Sequence, residues 1–63
     1  MEIISEKFGC QILQHNAKYY IRFDEGHFEV KYKEYEITKE EANKAMQSER
    51  GAYEVILKHQ TDS

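Results

Sequence analysis

Along the first half of the chain apolar and polar residues alternate, and near residue 38 the spacing changes to three or four. From residue 2 to 14, Ile4, Phe8, Cys10 and Ile12 hold even positions with Ser5, Lys7, Gly9 and Gln11 between them. A period of two predicts a strand with one buried face. Glu6 breaks the series, and Gly9 marks a bulge or bend. His15-Asn16-Ala17 reads as a tight turn, after which Tyr19, Ile21 and Phe23 alternate with Tyr20, Arg22 and Asp24. Asp24-Glu25-Gly26 supplies a second turn, because Gly accepts the positive φ such loops need. A third run places Phe28, Val30 and Tyr32 on one face and Glu29, Lys31 and Lys33 on the other.

Register follows from the same pattern. Pairing residues whose numbers sum to 51 sets Phe23 opposite Phe28, Ile21 opposite Val30 and Tyr19 opposite Tyr32. A one-residue slip would set each opposite a charge. Across the first turn a sum of 31 sets Phe8 by Phe23, Cys10 by Ile21 and Ile12 by Tyr19. The prediction is a three-stranded antiparallel meander over residues 2–14, 18–24 and 27–33. Parity breaks around Lys33, where Tyr35 and Ile37 take up odd positions, so the third strand bulges or ends there.

Thr38-Lys39-Glu40-Glu41 is a capping box, in which the Thr38 hydroxyl and the Glu41 carboxylate satisfy free backbone donors at a helix start. Ala42, Ala45 and Met46 form the apolar stripe. Residues 47–60 admit two readings. Tyr53, Ile56 and Leu57 continue the helical stripe, Ser48 can cap a second short helix with Glu49 in its first turn, and Gly51 favours a break. Read as a strand, residues 52–58 would instead bury Tyr53, Val55 and Leu57. The expected fold is therefore α+β in a single domain spanning residues 1–63: the meander packed against one or two helical segments over about 39–59. A βββαβ arrangement with 52–58 as a fourth strand is the alternative. Ile4, Phe8, Tyr32, Tyr53 and Leu57 belong to the core expected on this reading, together with the inward residues of the central strand.

Composition narrows the function classes. A chain of 63 residues with 40% hydrophobic positions and eight aromatics should fold, yet domains of this size leave about 40% of their unfolded surface exposed and have few residues to spare for a deep site. One cysteine permits no internal disulfide, and neither a Cys-x-x-Cys nor a Cys/His pair at zinc spacing occurs, so a reducing cytoplasm is the expected compartment. The acidic start of MEIISEKFGC does not fit a signal peptide. Cys10 is expected in the core, where its thiolate is disfavoured. His15, His27 and His59 lack metal-site spacing. No phosphate-binding glycine loop or nucleophile motif is present, so the chain is read as a non-enzyme that uses no cofactor or metal.

The net charge of -3 divides unevenly: residues 1–33 carry five acids and five bases, residues 34–63 seven acids and four bases. On the expected meander the outward face collects Lys7, Lys18, Tyr20, Arg22, Lys31 and Lys33, diluted by Asp24 and Glu29, a basic face with one aromatic. Ile3 and Leu13 share it and do not suit pure solvation. The leading expectation is a small protein that binds another protein, as an accessory subunit or inhibitor, through Ile3 and Leu13 or through the acids Glu34, Glu36, Glu40 and Glu41. The alternative is a weak nucleic-acid-binding module in which Tyr20 stacks on a base while Arg22, Lys31 and Lys33 meet phosphates. Self-association at an open sheet edge is compatible with both.

Overall fold

The computed structural model describes residues 1–24 and 32–62. The chain runs through β1 (Glu2–Lys7), β2 (Cys10–His15), β3 (Lys18–Asp24), β4 (Tyr32–Ile37), α1 (Lys39–Gln47) and α2 (Glu49–Asp62). The strands form one antiparallel sheet in the order β1-β2-β3-β4. The architecture is thus α+β, a meander preceding a helical hairpin as the sequence pattern predicts, but with four strands rather than three.

The additional strand comes from the first apolar run. Residues 2–14 do not make one strand: Phe8 and Gly9, at φ 58° and 76°, turn the chain back on itself between β1 and β2. Asn16 and Ala17, at φ 50° and 65°, make the corresponding turn between β2 and β3. Two successive positive-φ residues suit the right-handed twist of the flanking strands, which is why such two-residue turns prefer Asn and Gly. Ala17 is an L-residue with no polar side chain to ease that conformation. Ala17→Gly is therefore expected to stabilise the fold by about 1 kcal/mol, read as a shift of the urea midpoint with an unchanged slope.

Registers differ from those expected, and the size of each difference decides its consequence. Between β2 and β3, Cys10 pairs with Phe23 and Ile12 with Ile21, a two-residue shift. An even shift changes partners but not faces, so Cys10, Ile12, Ile21 and Phe23 are all buried as the pattern requires. Between β3 and β4 the pairs are Tyr19 with Ile37, Ile21 with Tyr35 and Phe23 with Lys33. That shift is odd, and it turns Tyr32 outward to 67% exposure while Tyr35 and Ile37 face the core. The turn expected at Glu25-Gly26 and the pairings through Phe28 and Val30 lie outside the described residues. In β1 the register shifts between Ile3 and Ser5, and Ile4 and Phe8, expected inside, are 36% and 42% exposed.

The helices cover one face of the sheet. Both bonds of the capping box are made: Glu41 N donates to Thr38 Oγ1 (3.1 Å) and Thr38 N donates to Glu41 Oε1 (3.0 Å). Ser48 ends α1 in extended conformation and starts α2, its Oγ accepting from Gly51 N (3.0 Å). Residues 52–58 are helical, so the strand alternative for them is overturned. The one-residue corner also resets the helical phase. Ala52 and Val55 point inward, with Ile56 partly buried, whereas Tyr53 and Leu57 are left 62% and 42% exposed.

α1 lies across β2 and β3, and α2 packs on α1. The core joins Cys10, Ile12, Ile21, Phe23 and Ile37 of the sheet to Ala42, Ala45, Ala52 and Val55 of the helices. Three of the four helical contributions are alanines with at most 2% exposure. Small side chains let the helices approach closely, which is how so short a chain still excludes water from its centre.

Candidate functional site: the uncovered sheet face and the Glu41–His59 junction

On the sheet face away from the helices, cross-strand pairing sets residues into rows. Ile3, Leu13, Tyr20 and Glu36 form one row, because Leu13 pairs with both Ile3 and Tyr20, and Tyr20 with Glu36. Leu13 is only 2% exposed yet lies outside the helix-covered core. Ile3 is 48% exposed and Tyr20 half-buried. The result is an apolar floor with an exposed aliphatic rim at the β1 edge, on a sheet face with no helix over it.

Beside it, Glu6, Gln11, Arg22 and Glu34 form a polar row across all four strands. Gln11 Nε2 donates to Glu6 Oε1 (3.1 Å), Arg22 Nη1 to Gln11 Oε1 (3.4 Å), and Arg22 Nη2 and Nε to Glu34 Oε1 (3.0 and 3.3 Å). Each side chain is held by its neighbour, so the row is a preordered set of polar groups beside the apolar one. Lys18 lies 3.9 Å from Glu36, a weak exposed pair.

Four of the six residues expected to bind protein, Ile3, Leu13, Glu34 and Glu36, thus share one face. Glu40 and Glu41 do not join them, since α1 lies on the other side of the sheet. Glu40 is exposed in the first turn of α1, and Glu41 is engaged within the fold. The expected basic face is corrected by the registers. Lys7 pairs with Cys10 and Lys33 with Phe23, so both belong to the helix-covered side. Tyr20 and Arg22 are outward as expected, but the Arg22 guanidinium is bound by Glu34. Lys31 lies outside the described residues. Among the described residues on the outward side, Glu6, Asp24, Glu34 and Glu36 outnumber Lys18 and Arg22.

The other concentration of titratable groups joins the two helices to the sheet. His59 Nε2 and Glu41 Oε2 are 3.1 Å apart, and Lys58 Nζ is 3.5 Å from the same oxygen. The His59 ring stacks on Tyr35 (centroids 5.5 Å, planes 21° apart), and Tyr35 on Phe23 (5.8 Å, 25°). Burial by itself would raise the Glu41 carboxyl. The Thr38 N–H, the His59 ring and the Lys58 ammonium outweigh it and hold Glu41 below the usual carboxylate range. Both carboxylate oxygens are engaged, one in capping α1 and one in anchoring α2, so this pair clasps the two helices together. Nothing in the sequence pattern signals it, because the two residues stand 18 apart.

Cys10 is in the core, where burial raises its thiol and Sγ donates to Lys7 O (3.4 Å). Among the described residues no three His, Cys, Asp or Glu side chains are grouped to hold a metal ion, and no helix is long and apolar enough to cross a membrane. Comparison with known proteins finds no matching family, curated protein or solved structure. The class stands as an α+β domain of four antiparallel strands and a helical hairpin, and its functional reading rests on its own geometry.

Proposed function

We propose that the chain works by binding another protein through the uncovered face of its sheet. The observation that carries this reading is the apolar row of Ile3, Leu13 and Tyr20, buried at Leu13 and exposed at its Ile3 rim, on the sheet face that the helices do not cover. Exposed apolar groups bordered by ordered polar ones are the composition of a binding surface rather than of a solvated face. The acids on the same side favour a partner presenting an apolar anchor next to basic side chains. Acting as an accessory subunit or inhibitor fits a fold in which Cys10, Glu41 and His59 are engaged in internal contacts.

The test compares captured partners across variants. A partner recovered in stoichiometric amount by the wild type and by Tyr53→Ala, on the helix surface, should be lost with Ile3→Glu or Tyr20→Ala. Recovery of no such partner, or of one indifferent to Ile3→Glu, overturns the reading. The nucleic-acid alternative has lost part of its patch, with Lys33 turned to the covered side and Arg22 held by Glu34. Adding single-stranded RNA or DNA at low salt should leave the amide spectrum of β2 and β3 unchanged.

A further inference from the structure

β1 is one of the two edge strands of the sheet, and five of its six residues are exposed. An edge strand offers unpaired backbone donors and acceptors to another strand, and two observations narrow what that strand is. Glu2 and Lys7 stand at the two ends of β1, and neither has an ion-pair partner among the described residues. Five positions apart, they would lie on opposite faces of a regular strand. The irregularity between Ile3 and Ser5 adds one residue and restores both to a single face, since Glu2 pairs with Gln14 and Lys7 with Cys10, four residues apart on the regular strand β2.

We infer that β1 pairs antiparallel with β1 of a second copy of this chain. In the pairing that uses every rung, Ser5 meets Ser5 at the two-fold axis, Ile3 meets Glu6, and Glu2 meets Lys7 at both ends. The bulge makes this register self-consistent: Glu2, Ser5 and Lys7 share one face, Ile3 and Glu6 the other, and the extra Ile4 of each strand sits beside the centre. Competing arrangements are worse. Parallel pairing sets Glu2 against Glu2 and Lys7 against Lys7. Moving the axis to Ile3 leaves Lys7 without an opposite residue, and moving it to Glu6 sets two carboxylates against each other. A two-fold axis normal to the sheet keeps both helical layers on one side and joins the two four-stranded sheets into one continuous uncovered face.

Bulges on edge strands often guard against pairing, so a permanent monomer is the competing outcome. Sedimentation equilibrium of the full chain over a concentration series to the millimolar range tests the two. The expected result is a reversible monomer–dimer equilibrium. Glu2→Lys and Lys7→Glu should each raise the dimer Kd about tenfold, because each replaces two attractive pairs with two repulsive ones. The double variant E2K/K7E should return to within about threefold of the wild type. Both side chains are exposed, so circular dichroism of each variant monomer should match the wild type. A monomer at all concentrations, single variants that leave Kd unchanged, or a double variant that fails to recover would each overturn the inference. It does not rest on the partner-binding reading: Tyr20, on β3, lies away from the β1 edge, so Tyr20→Ala should abolish partner capture and leave the dimer Kd unchanged, whereas Ile3→Glu bears on both because Ile3 lies opposite Glu6 of the second copy.

Discussion

Gly51→Ala is expected to destabilise the protein by about 3 kcal/mol or more, enough to unfold most of a domain this small at physiological temperature. The reason is steric, not conformational. Gly51 has no positive φ and sits in the first turn of α2, where a Cβ would fall on the carbonyl oxygen of Lys44 and 3.0 Å from its carbonyl carbon. Lys44 O belongs to the backbone of α1, so the clash is not relieved by rotating a side chain. The two helices would have to separate, and separation would strip Ala42, Ala45 and Ala52 of their close contacts with the core. Gly9 is the informative comparison. Its φ is +76°, and a methyl group added to it would meet nothing within 4 Å, so Gly9→Ala carries only the conformational penalty of about 1 kcal/mol. Thermal and urea unfolding of both variants should separate the two costs. Similar losses at both positions would mean that the helix–helix approach is looser than the geometry requires.

Glu41→Ala should cost about 2 kcal/mol, the second largest effect, because it removes half of the capping box and the anchor of α2 together. The same residue predicts a pH dependence whose sign is fixed. Its carboxyl is held below the ordinary value of 4.5 in the folded protein. Such a group contributes stability that is fully present above the unfolded value and is lost as pH falls through the lower folded value. Wild-type stability should therefore decline as acid is added from about pH 4.5 downward. Glu41→Gln keeps an acceptor for the Thr38 N–H but has no proton to gain, so it should be less stable than the wild type at neutral pH and lose less on acidification. Glu54 is also held low, by the Lys44 ammonium first (2.6 Å) and then by Arg50, but its pairs lie at the solvent-screened surface and add little. Equal acid sensitivity in the wild type and Glu41→Gln would show that the Glu41–His59 clasp does not form in solution.

Local chemistry is legible where neighbours in sequence are also neighbours in space. The Thr38/Glu41 box, the Ser48 cap and the Asn16-Ala17 turn each depend on residues no more than three apart, and all are present. Face assignments in β2 and β3 survive a wrong partner because the register error is even. The turn at Phe8-Gly9 escapes the pattern because a hairpin whose first strand carries a bulge imitates a single alternating run. In α2 the inward face is misassigned when the stripe of α1 is continued across a corner that resets it. Of the candidate surface, Ile3 with Leu13 is readable from parity, whereas the outward turn of Tyr32 and the covered position of Lys33 depend on which β4 residues pair with β3.

Hydrophobic period and capping act over one or two turns of backbone, and they suffice to make this chain α+β, to place its helix starts, and to choose the inward residues of its two central strands. The number of strands, the closeness of the two helices at Gly51, the meeting of Glu41 with His59, and the apolar row on the uncovered sheet face emerge only when the segments assemble. Those features arise from registers and crossings between parts far apart in the chain, where a shift of one residue exchanges an inner face for an outer one at little local cost.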